Sequence, residues 1–516
     1  MQTAILLRRS PVFYGLFFSL MILVLGFSLT AGRSSLAQAK PAPADFAAID
    51  TYLADQLKEL HIPGLSLAIV KGDQIAHLQS FGVADDTGRR LTPQTPMQIG
   101  SVSKSFTALA IMQLVEQGKL DLDAPVQRYL SWFRLADATA AAQITVRQLL
   151  NQTSGFSELT GNGFWLNRAG LEATVRGLQT VAVAYPPGMS YDYSNLNYMI
   201  AGLLVETVSG QHYADYVPAH IFTPLAMHHS FADHAAAVAD GLAMGHRFSF
   251  GRIIEDTGPQ PPAMLPAGFL SASGEDMAHY AIAQLNEGHY GAVTLLSSQG
   301  IATLHRGVAA IDSYYAMGWR NDLRAGIIWH NGDDTRNHAM IMLEPAHHQA
   351  IVLLANISSL DLSFAIDDLA AGVLALLNGQ PLPPPSPDRS TNQILYWVGL
   401  LMPFVLVIGI LLSLLSLRRW RRGNNFFTWG WFGWGWRLLV PTLLYLGVGW
   451  LLFGVLIPEF RTPMLAIGSL LPDVGWSSII GGVLGFGWGI LWPVLVYWVL
   501  RPSARQRPAL DRLATP

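Results

Sequence analysis

Phe46, Ile49, Leu53, Leu57 and Leu60 recur every three or four residues, the spacing that lines one face of a helix. Asp45 stands where such a helix takes its cap, and Pro63-Gly64 ends it. The pattern then changes period. Leu65–Val70 and Gln74–Gly82 flank Lys71-Gly72-Asp73, which predicts a β-hairpin. A long, mostly helical middle follows. Gly326–His330, Ala339–Leu343 and Ala350–Leu354 read again as strands, and Leu362–Leu377 as a final apolar helix. Strands at both ends with helices between predict an α/β (α+β) domain: one sheet built from the two ends, with a helical domain inserted.

Beyond this region the pattern stops being amphipathic. Approximately Ile394–Leu417, Leu438–Ile457 and Ser477–Leu500 are apolar throughout, and each is long enough for a hydrocarbon core that takes about 20 helical residues. Pro381-Leu382-Pro383-Pro384-Pro385-Ser386-Pro387 separates them from the globular part as a stiff linker. At the other end, Arg8 and Arg9 precede an apolar run from about Val12 to Ala31, and Ala37-Gln38-Ala39 offers a cleavage site. An uncleaved anchor helix is the other reading of that run. The expected organisation is a signal peptide over 1–39, a globular domain over 40–379, a linker over 380–393 and a membrane domain of three transmembrane helices over 394–516.

Charge orients the spans. Arg418, Arg419, Arg421, Arg422 and Arg437 crowd the first connection, and Arg501, Arg505, Arg507 and Arg512 follow the third span. The second connection, with Glu459, Arg461 and Asp473, has no such excess. The positive-inside rule puts the first loop and the tail in the cytoplasm, so the globular domain is expected on the periplasmic or extracellular side of a bacterial inner membrane, as the signal also requires. Trp429, Trp431, Trp434 and Trp436 suit an aromatic belt at headgroup level. No charge interrupts the spans, which gives a transport role little support.

Composition narrows the chemistry. Only 13% of the 516 residues are charged and 51% are hydrophobic, too apolar a balance for a wholly soluble chain. A formal net charge of -3 gives no general attraction to nucleic acid. There is no cysteine, so a thiol nucleophile, a thiolate metal site and disulfides are all excluded. His228, His229, Asp233 and His234 cluster after Pro224 without a metal-binding helix motif, and no G-x-S-x-G nucleophile elbow occurs.

Within Gly100-Ser101-Val102-Ser103-Lys104, serine and lysine are three residues apart at the start of a helix-forming run that extends to Gln117, with Gly118 as its stop. Positions three apart share a helix face, so the amine can reach the hydroxyl. A serine hydroxyl needs a base, and a lysine becomes one only if burial or a neighbouring cation lowers its pKa. A solvated pair on a helix face is the bland alternative. Of five lysines, however, only Lys104 has a serine at that spacing. Two further motifs follow: Tyr193-Ser194-Asn195 after Pro186-Pro187-Gly188, and His330-Asn331-Gly332 on a predicted strand. A phenol can shuttle a proton, an amide can bind a substrate amide, and a glycine lets substrate backbone approach.

Taken in order, these three motifs resemble those of the serine β-lactamase and penicillin-binding DD-peptidase superfamily, in its class C β-lactamase-like branch. The similarity covers approximately residues 45–378 and extends to Ile144–Leu150 with Thr153-Ser154-Gly155, to Pro266-Ala267-Gly268-Phe269 and to Tyr315-Ala316-Met317-Gly318-Trp319. It implies the superfamily's antiparallel sheet flanked by helices. Ser101 would be acylated with Lys104 as its base, and Tyr193 would assist proton transfer. Asn195 would hold the acyl-side amide, and His330 would stand near the substrate carboxylate. Gly332 would let the substrate lie close, and the backbone N–H groups of Ser101 and Asp333 would form the oxyanion hole. No metal or organic cofactor is expected.

Two departures stand out. Asn151-Gln152 replaces the family's histidine before Thr153, and histidine rather than lysine at 330 weakens the charge offered to a carboxylate at alkaline pH. The three C-terminal spans are similar to the tails of membrane-bound D-amino-acid peptidases that mature peptide prodrugs. The expected activity is therefore hydrolysis of peptide-like amides through an acyl-serine, at a D-configured residue, with a small peptide-like substrate and the lipid bilayer as partners. A β-lactamase or esterase of the same fold is the alternative, and a slow penicillin-binding sensor is the third reading.

Overall fold

The computed structural model describes residues 46–308, 311, 314–359, 362–422, 430–459 and 461–500. The signal segment, the Asp45 cap, Trp429 and the arginines of the tail lie outside them. The described residues form two units, one of 46–392 with Arg461–Ala466 and one of 393–459 with 467–500.

The first unit opens with α1 (Phe46–Leu60), β1 (Gly64–Lys71) and β2 (Gln74–Gly82). Its helical middle includes α2 (Ser103–Glu116), the single turn α3 (Glu158–Asn162) and α4 (Asn195–Ser209). It closes with β3 (Arg320–Asp322), β4 (Ile327–Asp333), β5 (His338–Glu344), β6 (Gln349–Ala355) and α5 (Ser363–Leu377). The six strands form one antiparallel sheet in the order β2-β1-β6-β5-β4-β3. The first and last long strands are therefore neighbours, with Leu65 opposite Ala355 and Leu67 opposite Leu353.

Burial explains why β1 and β6 read as nearly unbroken apolar runs, for both are covered on both faces. Leu65, Leu67, Ile69, Ile351 and Leu353 pack under α1 and α5 against Ile49, Leu53, Leu369 and Val373. Ala68, Val70, Val352 and Leu354 face the helical middle and join Phe106, Leu109 and Met277. Each such side chain contributes about 1.5–3 kcal/mol when fully buried. α2 is buried from Ser103 to Leu114, so it runs through the interior and needs no polar face. Gly118, at φ +69, lets the chain turn away after it.

The second unit holds α6 (Pro387–Arg421), whose first turns belong to the preceding unit, with α7 (Gly430–Trp450) and α8 (Pro472–Leu500). Within these, Gln393–Arg421, Trp436–Leu456 and Pro472–Val499 are long and apolar enough to cross a membrane. α7 and α8 touch through glycines: a Cβ on Gly485 would stand 2.8 Å from Gly449 N, and one on Gly489 2.7 Å from Leu446 Cγ. Small residues serve this purpose where lipid leaves no hydrophobic drive for helix association. Tyr396 Oη donates to the buried Asp473 at 2.7 Å, tying α6 to α8.

An ion cluster around a buried histidine braces the end of β4. His338 is fully buried, with Nε2 2.7 Å from Asp367 on α5 and Nδ1 3.5 Å from Asp333. Asp367 also accepts from Asn331 Nδ2 at 2.9 Å, so one carboxylate ties α5 to two strands. Burial opposes a charge on His338, but Asp367 and Asp333 outweigh it and push the imidazole up to about 10. The cation is favoured only in the folded protein, so its contribution is complete below the ordinary value of 6.5 and disappears as pH rises through about 10. Thermal unfolding of the full-length protein should show that loss across this window. His338→Gln should remove the slope and lower Tm at neutral pH, because two partly exposed carboxylates lose their cation. Equal pH slopes in the two proteins would contradict the cluster's role.

Candidate active site

Ser101 sits in a short turn, Gly100–Val102, that runs directly into α2. The turn is pressed against β4, and two glycines permit the approach. Gly100 has φ +51, and a Cβ there would stand 2.4 Å from Asp333 N; one on Gly332 would stand 2.0 Å from Ile99 O and 2.8 Å from Ser101 N. Side chains at these positions would drive the backbones apart. Their absence brings the amides of Ser101 and Asp333 into one small region.

One helical turn on, Lys104 Nζ lies 2.9 Å from Ser101 Oγ, 2.8 Å from Asn195 Oδ1 and 2.5 Å from Ala267 O. The side chain is fully buried. Burial holds its pKa well below the ordinary lysine value, Glu158 partly opposes this, and Arg320 reinforces it. Both carbonyl oxygens can only accept. A neutral amine therefore directs its two N–H bonds at them and leaves its lone pair toward Ser101. The solvated Ser/Lys alternative does not describe this pair.

The ring centre of Tyr193 is 4.8 Å from Lys104 Nζ, and its hydroxyl faces Ser101 closely enough for the serine to affect its proton. Burial raises this phenol well above its ordinary range, Tyr315 adds to the effect, and the Ser101 hydrogen bond partly offsets it. The environment thus pushes the two groups in opposite directions, the amine toward neutral and the phenol toward protonated. That separation is how a site allots acid and base roles.

Asn195 is the first residue of α4, and the Tyr193–Asn195 turn is held by Gln152. Gln152, at φ +59, accepts from Ser194 N at 2.9 Å and from Asn197 Nδ2 at 2.5 Å. The departure at 151–152 is thereby an anchor for the second motif.

His330 is fully buried on β4, its Nδ1 2.5 Å from Asn331 O and its Nε2 3.2 Å from the Tyr315 hydroxyl. The carbonyl can only accept, so Nδ1 carries the proton and Nε2 accepts from Tyr315. Burial, then Arg320, then Lys104 hold the imidazole well below its ordinary value. His330 thus braces Tyr315 through Nε2, in surroundings that disfavour a charge on the ring.

A cation does lie among these rings, on a residue the motifs did not reveal. Arg320, on the edge strand β3, lies 5.1–5.8 Å from the ring centres of Trp329, Tyr314, Tyr315 and Tyr193. Its Nη1 donates to Tyr314 Oη at 2.9 Å, while Nε has no hydrogen-bond partner among the described residues. No salt bridge among those residues involves it. A guanidinium so held, with Nε unpartnered among the described residues, suits a carboxylate. Its sequence signal was weak: one arginine after Gly318-Trp319, on a strand too short to show a period.

Of the histidines weighed as metal ligands, His229 pairs with Asp240 at 2.7 Å. Asp86, His246 and Glu255 come within 4.8 Å of one another, and His246 Nε2 is 3.3 Å from Asp86, an ion-pair geometry.

A protein-family model described as Beta-lactamase matches residues 49–375. The chain belongs to the Beta-lactamase family. Protein flp of Staphylococcus aureus (strain MW2) is 29% identical over 315 residues, 60% of this chain. The chain spans 63% of that relative's length. Penicillin-binding protein 4 of Amycolatopsis lactamdurans is 32% identical over 277 residues, 51% of this chain and 70% of that protein. Among solved structures, the octameric penicillin-binding protein homologue from Pyrococcus abyssi matches with a TM-score of 0.59 at 27% identity, covering 68% of this chain and 81% of its own. The D-alanine carboxypeptidase AmpC from Burkholderia cenocepacia shares the fold, with a TM-score of 0.53 at 22% identity over 64% of this chain and 98% of its own.

For this family member, the buried amine makes a direct prediction. Ser101 should react with a fluorophosphonate at a rate that reaches its alkaline plateau well below about pH 10 and falls toward acid. A base must be unprotonated to take the Ser101 proton, and burial extends the free-base range of Lys104 downward. Lys104→Met should slow labelling roughly 100- to 10,000-fold. A rate that climbs through about pH 10, where an ordinary lysine titrates, would contradict a desolvated base.

Proposed function

We propose that this chain is a membrane-anchored, extracytoplasmic serine hydrolase that cleaves peptide-like amides carrying a free carboxylate, at a D-configured residue. The observation that carries the reading is the Ser101–Lys104–Tyr193 constellation, with a buried amine 2.9 Å from the hydroxyl and Arg320 beside the phenol. Ser101 Oγ attacks the scissile carbonyl carbon and passes its proton to Lys104 Nζ. The N–H groups of Ser101 and Asp333 stabilise the oxyanion, a term worth several kcal/mol at such sites. Tyr193 gives a proton to the departing nitrogen and recovers one from Lys104, the C–N bond breaks, and an acyl-Ser101 ester remains. Water then attacks that ester, its proton returns through the same pair, and the acid is released.

Asn195 binds the acyl-side amide in this scheme, and Arg320 holds the carboxylate. Relatives named for penicillin binding fit this chemistry, since penicillin itself pairs a strained amide with a nearby carboxylate. Arg418, Arg419, Arg421 and Arg422, gathered after the first apolar helix, support an external catalytic unit through the positive-inside rule. The bilayer is the second partner.

The test uses the full-length protein in detergent with D-aminoacyl peptides and their C-terminal amides, a chromogenic cephalosporin and a fluorescent penicillin. Ser101→Ala should abolish turnover. Arg320→Gln should lower kcat/KM for the carboxylate substrate roughly 10- to 100-fold more than for the amidated one. Rapid turnover of the cephalosporin with inert peptides would favour a β-lactamase. A lasting penicillin adduct with no turnover of any substrate would favour a sensor, and an active Ser101→Ala would reject the mechanism.

A further inference from the structure

The catalytic unit takes in a second stretch of chain, Arg461–Ala466, which in sequence lies between the second and third apolar helices. Three contacts join it to α3 and the residue after. Arg461 Nη1 donates to Glu158 Oε2 at 2.9 Å. Asn162 Nδ2 donates to the Arg461 carbonyl at 2.9 Å. Pro463 Cγ comes within 3.7 Å of where a Cβ on Gly163 would sit.

α3 is a single turn of five residues, too short to hold its own shape. From it the hydrogen bonds continue inward. Asn195 Nδ2 donates to Asn162 Oδ1 at 3.2 Å, and Lys104 Nζ donates to Asn195 Oδ1 at 2.8 Å. An unbroken path therefore leads from residue 461 to the amine. Glu158 needs its partner as well. Burial works against its charge, the Arg461 hydrogen bond offsets this, and a carboxylate stripped of that guanidinium would shift position or take up a proton.

We propose that Arg461 is a positioning residue of the hydrolase site: its guanidinium and carbonyl hold Glu158 and Asn162, and through Asn162 they fix the Asn195 amide that aims the Lys104 amine at Ser101. The proposal rests on the serine-hydrolase reading above. It makes the site dependent on a residue encoded after two of the three apolar helices, so a protein cut at the proline-rich linker would lack one of its supports.

The test is kinetic and uses the full-length protein. Arg461→Ala and Asn162→Ala should each lower kcat roughly tenfold, through a misplaced base, while KM changes by less than about twofold. Tm should stay at the wild-type value. Arg461→Lys, which can still reach Glu158, should recover most of kcat. The double variant should be little worse than either single one, because both act along one path. Wild-type kinetics in Arg461→Ala would overturn the proposal. So would a loss of kcat that follows a lowered Tm and is not restored by lysine. Ser101→Ala, measured alongside, separates the two ideas: its inactivity beside an unimpaired Arg461→Ala removes this proposal alone, whereas its activity removes the hydrolase reading.

Discussion

An ammonium taken out of water without a carboxylate beside it loses its reason to stay charged, and the interior around Lys104 is arranged on that principle. α2 places the amine one turn from Ser101 and lies in the core along nearly all its length. α4 supplies Asn195 and the turn at Pro266–Gly268 supplies a carbonyl, so that the nitrogen meets fixed acceptors in place of water. The sheet sets the opposite wall, where the glycine pair lets β4 lie against the serine turn. Removing any of these elements would readmit solvent, and the amine would revert to an ordinary cation.

The electrostatics of the surrounding shell follow the same logic. Arg320 disfavours a second positive charge nearby, so Lys104 and His330 both lose protons more readily. Its own charge rests on aromatic faces, a setting in which a guanidinium is attracted to ring quadrupoles without being neutralised. Beneath β4 the balance is reversed, for His338 is made cationic by two carboxylates. Two buried histidines near one strand are thus pushed in opposite directions, His330 toward neutral beside cations and His338 toward the cation beside carboxylates.

Much of this was legible in the sequence. The helical and alternating patterns place five of the six main-sheet strands, because β1, β2, β4, β5 and β6 are each long enough to show their character. The S-x-x-K spacing pointed to a pair that the fold does bring within hydrogen-bond reach. β3 left no trace: three residues at a sheet edge have no period, and the arginine on it gains meaning only from rings at 193, 314, 315 and 329 that folding collects. The push of His330 toward neutral was equally hidden, since the identity of a residue says nothing about the cations that surround it. Gln152 read as a departure, and its purpose appears only where Ser194 and Asn197 converge on its side-chain oxygen.

The neighbouring of β1 and β6 has a bearing on biogenesis. Leu65 finds its partner in Ala355, so a chain growing from its N-terminus carries β1 paired to β2 on one edge and open on the other through almost the whole synthesis of the domain. Pairing between such distant segments is slow. The last strand is followed in the chain by the long apolar helices, so the sheet can close only after nearly all of the sequence ahead of them has been made.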